Sequence, residues 1–507
     1  MSGTFFGLEI ARRGLQTHRT AMDTTGHNVA NASTPGYTRQ EAVISATDPY
    51  CNPTLGTKLI PGQLGTGVAA TMIRRVKNEY LDVQARDSAS ARDYWQIQEE
   101  LFARIEAVFA EPGAKGIGDT LTKFFRYWHD LNNTPQDPGV KAAVAEAGDE
   151  LATMMKEAYK QLGDISGSIL KLDGAGNPQG GQLQDQVDTV NDILRQIRDL
   201  TESIKRIYAQ GNQPNDLLDR RDLLLDRLAQ YGPVSVTHLT DGGKPTGEIS
   251  LTFFGQDVRS ENAKIELTVT SDRNDPKKVQ EIKLAFSGSG NEVSLTGYSG
   301  DQPQGGSLLG LAETYQKIEG NNAASNEVLG YRDMLNELSK ALSTVINAVL
   351  KTEPLNENFF VPDGKLTDGT FAVNPEIMKD PSKIDGTKAL YVARLASIGM
   401  DGLETTLGQD SAGDIKVTTY NLSGATFNEY FNGILADIGA RSGSAADLAA
   451  NQGAVAEQIE SLRQSVSGVN LDEELSRLLQ FQYGYQASAR VLTTVDEMLD
   501  YLINRTG

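Results

Sequence analysis

Four histidines, His18, His27, His129 and His238, are the residues of this 507-residue chain best suited to acid–base work or to holding a transition metal. They stand far apart in sequence, without the His-x-x-x-His or His-Glu-x-x-His spacing that sets two ring nitrogens on one helix face. Cys51 is the only cysteine, which forbids an internal disulfide and leaves no thiolate cluster for zinc. Its expected role is that of an ordinary small residue. Gly62, Gly65 and Gly67 have no preceding strand to make them a phosphate cradle and read as loop flexibility; no phosphate loop, nucleophile elbow or dinucleotide fingerprint occurs elsewhere. The nearest approach to an acid–base cluster is Asp219, Arg220, Arg221 and Asp222. A solvated helix face, or a salt-bridge network between subunits, explains that run more simply. The expectation is therefore no catalytic residue, no metal, no cofactor and no enzyme.

With 67 acidic against 47 basic residues the net charge is -20, which disfavours phosphate backbones and anionic lipid as partners. Aromatic residues are only 7 % of the chain, which suits slender helices better than one thick core. No stretch approaches the roughly 18 consecutive apolar residues of a membrane span. The N-terminus, MSGTFFGLEIARRGLQ, carries its arginines inside a helical pattern, so no Sec-type signal peptide is expected. That absence favours the cytoplasm unless export uses a route that reads no cleaved signal.

If the chain does no chemistry, its periodic elements must carry its function. Near the N-terminus Leu8, Ala11, Leu15, His18, Met22, Thr25 and Val29 alternate three and four apart, the seam of a helix that packs on another helix. A stronger seam closes the chain, with Leu471, Leu478, Phe481, Tyr485, Ser488, Leu492, Val495, Leu499 and Leu502, broken only by Glu474. Asn470 reads as its N-cap and Glu473 as the partner in a capping box. Residues 1–40 hold four arginines against Glu9 and Asp23, for +2; residues 470–507 hold six acids against three arginines, for -3. The ends are thus complementary in charge. Such helices are marginal alone, which predicts that they pair with each other or with copies and order on assembly.

At the end of the first helix and just beyond it stand Asn28, Asn31, Thr34, Pro35, Gly36, Tyr37, Arg39 and Gln40. Pro35 sets a turn and Gly36 can take positive φ, so residues 34–37 read as a type II turn. Joined to the preceding Asn-x-Ala-Asn, this segment resembles the N-terminal signature of the flagellar rod, hook and hook-associated proteins. The closing run, residues 468–505, is similar to the last helix of the same group through the Tyr-Gln-Ala-Ser-Ala-Arg stretch at residues 485–490. Within the group, the Thr38-Arg39-Gln40 continuation is nearer the hook-associated members. Residues 64–75, residues 119–131 with Phe124, Phe125 and Trp128, and residues 215–222 also resemble family segments. Residues 233–302 and 352–418 carry none.

Helical spacing runs through Val76, Tyr80, Val83, Ser90, Tyr94, Ile97, Leu101, Ile105 and Val108 to Pro112, and resumes over residues 119–131, 138–172, 182–210 and 308–350 and from Phe427 onward. Between residues 234 and 298 the period changes to two, in five short runs. The expected fold is mainly α with β inserts: elongated, multi-domain, with terminal helices pairing as a coiled coil, a helical-bundle body and a small antiparallel β domain. The expected units are 1–45 with 468–507 for assembly; 46–232 with 303–351 and 419–467 for the body; 233–302 as β insert; and 352–418 as a mixed, loop-rich insert. A body entered and left by one end brings the termini together, with both inserts facing outward.

The resemblance implies a structural protein of the bacterial flagellum that polymerises at the distal end of the hook to form the hook–filament junction. It implies export through the flagellar type III route and an extracellular place. Implied partners are copies of itself in a ring or tube, the hook protein, the next junction protein on the filament side and an export chaperone; neither nucleic acid nor membrane insertion is implied. A filament subunit would share the paired ends but lack the turn segment, and a hook or rod subunit would share that segment without this long body. A wall-cleaving enzyme fused to an assembly domain, or a coiled-coil adhesin, stays open beside them.

Overall fold

The computed structural model describes residues 3–49, 65–109, 116–260, 263–271, 279–288, 290–296, 305–323, 326–351, 358–362, 364–410 and 413–505. Cys51 and Gly62 lie outside the described residues. The first helix, α1 (Gly3–Ala30), stops at the turn, where Gly36 takes φ +76° and Tyr37 N–H donates to Thr34 O at 3.2 Å, as a type II turn requires. An antiparallel hairpin comes next, β1 (Gln40–Ala46) with β2 (Val68–Arg75), lying along α1. Sequence pattern missed it, because its strands are alanine-rich and show no apolar–polar alternation. Thr17 Oγ1 on α1 donates to Val68 O at 3.1 Å, fastening the hairpin to the helix.

The chain then leaves along α2 (Glu79–Phe109), whose first turn exposes Tyr80 and Val83 rather than burying them as the spacing predicts. Next come α3 (Ile117–Asn133), α4 (Pro138–Ile169), a short hairpin of β3 (Lys171–Leu172) and β4 (Pro178–Gly180), α5 (Gln182–Ala209) and α6 (Asn215–Tyr231). Asp137 caps α4 by accepting from Gly139 and Val140 N–H, with Pro138 at the first helical position, where its missing N–H costs nothing.

The β insert holds two sheets. One joins β5 (Val234–Asp241), β6 (Lys244–Phe253) and β7 (Gln256–Asp257); the other joins β8 (Ile265–Ser271), β9 (Val279–Phe286) and β10 (Asn291–Ser294) in the order β10-β9-β8. Both pack on α5, burying Ile249, Leu251, Phe253, Ile265 and Leu284. Helix returns as α7 (Gly306–Glu319), but it does not run unbroken to residue 350. Gly320, at φ +84°, ends it, and a hairpin of β11 (Asn321–Ala323) and β12 (Asn326–Val328) intervenes before α8 (Tyr331–Leu350).

The loop-rich insert contains α9 (Pro375–Lys379), α10 (Ala389–Arg394) and the hairpin β13 (Glu404–Asp410) with β14 (Gly413–Thr418). It is not simply hung on the outside. Phe359 meets Trp128 at 5.3 Å between ring centroids, Phe360 stacks on Phe371 at 5.0 Å, and all four rings are fully buried. Few aromatics occur in this chain, and a good share of them close this one core.

Thr426 and Glu429 form a complete capping box at the start of α11 (Phe427–Ser467), which returns antiparallel to α2: Ser442 bonds Glu106 near one end, and Arg86 and Arg463 share Asp226 near the other. Three residues later α12 (Leu471–Arg505) begins and lies against α1. The accessible surface is 26659 Å², against roughly 18,000 Å² for a compact protein of this mass. The molecule is elongated and mainly helical, and its two ends meet.

Candidate functional site

The signature residues converge on the joint between the terminal helices and the body. Asn28, in the last turn of α1, is buried and uses both side-chain atoms twice. Its Nδ2 donates to Gln40 O and to Glu474 Oε2, each at 2.8 Å; its Oδ1 accepts from Gln40 N–H at 2.9 Å and Tyr37 O–H at 2.8 Å. Asn31 Nδ2 closes the α1 terminus on His27 O at 3.0 Å, and Thr34 Oγ1 donates to Asn31 Oδ1 at 3.2 Å. Pro35 and Gly36 shape the turn, and a Cβ on Gly36 would press Leu223 of α6 at 3.1 Å. Burial, then Asp216, Asp219 and Glu474, push the Tyr37 hydroxyl well above the usual tyrosine range, so it stays a donor.

Arg39 and Gln40 tie this turn outward. Arg39 N–H donates to Ser467 O at 2.8 Å and its guanidinium to Glu473 at 3.3 Å, while Gln40 reaches Asp216 and Asn215 of α6 at 2.9 and 3.0 Å. Glu473 is engaged by Arg39 and Arg477, so it serves the joint; Asn470 does cap α12, accepting from Asp472 N–H at 3.0 Å. Arg39–Glu473 is an ion pair between the ends, whereas Arg12, Arg13 and Arg19 pair within α1.

The acid–base run on α6 is neither a solvated face nor free for a subunit contact, Arg220 excepted. Asp219 and Asp222 both bind Arg75, at 2.9 and 2.7 Å, and Lys77 bridges Asp222 and Asp82 at 2.8 and 2.9 Å. Burial would raise the Asp222 carboxyl, but Lys77 and Arg75 outweigh it and hold the group below its ordinary range; burial raises Asp219 in spite of Arg75. Arg221 is 1 % exposed and donates to Gly247 O of the β insert at 2.6 Å. A polar cleft of about 630 Å³ opens beside this network, between the turn, α6 and the α11–α12 connection.

The α1–α12 seam is antiparallel with a constant register. Gly7 faces Val495, Gly14 faces Ser488, His18 faces Gly484 and Asn28 bonds Glu474, so every step along α1 is matched by an equal step back along α12. Leu478, Phe481, Tyr485, Leu492, Val495 and Leu499 are half-buried on it. Leu471 is 48 % exposed, whereas Glu474, which breaks the sequence pattern, is 1 % exposed. On α1, Ala11 is buried and Leu8, Leu15, Met22 and Val29 are half-buried. The side chain of Leu502 lies outside the described residues.

α12 is also apolar on the opposite face. Leu475, Leu479, Tyr483, Val491, Met498 and Tyr501 are between 48 % and 68 % exposed, and at about 100° per residue they centre roughly opposite the seam, whereas Leu471, two turns before Leu478, lies on the seam side and is exposed because α1 has ended at Ala30. The sequence sign of this second face is the uncharged stretch 478–489, which the single seam of heptad spacing does not account for. Among the described residues, no group of three or more His, Cys, Asp or Glu could hold a metal ion, and no helix is long and apolar enough to cross a membrane.

Comparison with known proteins gives three family matches: the flagellar hook-associated protein FlgK helical domain over residues 102–358, the flagella basal body rod protein over residues 8–38, and the flagellar basal body rod FlgEFG protein C-terminal over residues 463–505. Flagellar hook-associated protein 1 of Bacillus subtilis is 29 % identical over 526 residues, covering 100 % of this chain and 99 % of that one. The protein of the same name from Escherichia coli is 26 % identical, covering 97 % and 98 %. A solved structure, the flagellar hook junction protein FlgK from Burkholderia pseudomallei, aligns at 23 % identity and a TM-score of 0.39, over 53 % of this chain and 43 % of that one.

Proposed function

The chain belongs to the flagellar hook-associated protein FlgK family, and on that premise we propose that it polymerises at the distal end of the hook to form the junction on which the filament assembles. The observation that carries this reading is the second apolar face of α12. A helix apolar on two opposite faces is normally covered on both, and α1 covers only one. Each half-exposed side chain on the outer face would gain on the order of 1 kcal/mol when covered by a neighbour. Copies of the same chain, each presenting a paired α1–α12 unit, supply that cover in a ring or tube. The assembly residues are then Leu8, Ala11, Leu15, Met22, Val29, Leu478, Phe481, Tyr485, Leu492, Val495, Leu499 and Leu502 within the pair. Leu475 and its exposed companions on the outer face meet the next copy.

In this role the hook protein lies on one side of the junction and the next junction protein on the filament side. The subunit reaches its place outside the cell through the flagellar type III route, accompanied before export by a chaperone. Electron microscopy of cells lacking the gene, with an assay of flagellin in the medium, tests the reading. Finished hooks without filaments and shed flagellin are expected. Missing hooks would move the protein to the rod or hook, and normal filaments would refute the junction role.

A further inference from the structure

The seam between the terminal helices contains one residue that stability alone does not explain. Glu474 is buried at 1 % exposure where the apolar pattern calls for a leucine, and its Oε1 has no hydrogen-bond partner. A buried carboxylate of this kind costs stability relative to an apolar side chain of similar size. Among the described residues its one side-chain hydrogen-bond partner is Asn28, whose remaining bonds go to the Gln40 backbone and the Tyr37 hydroxyl, and so exist only when the turn is folded.

We propose that Glu474, through Asn28, sets the register in which α12 docks on α1 and makes that docking conditional on the folded turn of residues 31–40. The rest of the seam discriminates poorly. α1 offers it Gly7, Ala11, Gly14 and Ala21 beside the flexible Leu8, Leu15 and Met22 and the shorter Val29, a surface that accepts many apolar partners. A Cβ on Gly484 would lie 2.5 Å from the His18 ring, but that ring can swing aside, so the notch permits the register without dictating it. A slip of one heptad in one direction would set Phe481 against Asn28 and strand its amide; the other direction would bring Ser467, beyond the start of α12. A single buried polar pair that fixes helix register at a cost in stability is an established device in coiled coils. The pairing lies within one chain, so this inference stands or falls separately from polymerisation.

The test is disulfide trapping in the full chain, at high dilution, with Cys51→Ser as background. A Cβ on Gly14 would lie 3.6 Å from Ser488 Cβ, within disulfide reach, so Gly14→Cys with Ser488→Cys reports the native register. Gly14→Cys with Val495→Cys, or with Phe481→Cys, reports a slip of one heptad either way. The parent should trap the native pair at least about tenfold faster than either slipped pair. Glu474→Gln, which keeps an acceptor for Asn28, should preserve that ratio. Glu474→Leu, and the double variant Asn28→Leu with Glu474→Leu, should bring it near one while helix content is kept. A native ratio in the double variant would overturn the proposal, and so would loss of the ratio in Glu474→Gln. Loss of trapping at every pair in the double variant would also overturn it, showing a contact needed for docking itself.

Discussion

Asn28 is the residue on which the joint turns. Replacing it with alanine leaves Glu474, the Tyr37 hydroxyl and the Gln40 backbone without their shared partner. At about 1–3 kcal/mol for each buried group stranded, the loss should reach at least about 3 kcal/mol. Hydrogen exchange should show it as lost protection in α1 and α12 together, with α2 to α8 unchanged. Asp222 makes a second case. Because Lys77 and Arg75 hold its carboxyl below the ordinary value of 3.8, its contribution is complete above that pH and is lost as pH falls below it. Asp222→Asn should cost about 3 kcal/mol at neutral pH, since two largely desolvated, half-buried cations, Arg75 and Lys77, lose one of their counterions. Urea midpoints should show a shallower acid decline in the variant than in the parent. Asn28, Tyr37 and Gln40 were legible in the sequence as parts of a signature. Glu474 was legible only as a flaw in a pattern, because a hydrogen bond across 446 positions leaves no local trace.

At the scale of the element, the α1–α12 pair should respond to pH through His18. Burial lowers its pKa from 6.5, so the seam holds the neutral ring. The unfolded chain takes up a proton near pH 6.5 that the folded seam resists; pairing is therefore strongest above that pH and weakens as pH drops through it. Limited proteolysis should release the ends faster at pH 5.5 than at pH 7.5, and His18→Gln should flatten the difference. Trp128 tests the opposite end of the body. Its ring packs on Phe359 of the loop-rich segment, so Trp128→Ala should cost about 3–5 kcal/mol and loosen residues 358–410 along with α3, as urea denaturation and exchange would show. The long helices were readable because their apolar residues recur over many turns. The β1–β2 hairpin and the break at Gly320 were not, since short alanine-rich strands and a glycine between two apolar runs carry no periodic signal. The docking of the loop-rich segment was hidden because Phe359 and Phe360 find Phe124 and Trp128 far along the chain.

For the whole molecule, a long body with a paired-helix unit at one end divides the work. The body carries two sheets on α5 and an aromatic core that holds its far end together, while the terminal unit presents an uncovered apolar face. The packing of the two terminal helices on each other was legible from two seams and the return path between them. Which face of α12 stays open was not, since that depends on where α1 lies. The most direct test is electron microscopy of a strain lacking the gene and complemented with Leu475→Ser, Leu479→Ser and Tyr483→Ser together, with the subunit assayed in the medium. If the open face joins neighbouring copies, the variant should be exported, keep its internal α1–α12 pair, accumulate free in the medium and leave hooks bare. Filaments in normal number on those hooks would contradict the assembly role given to that face.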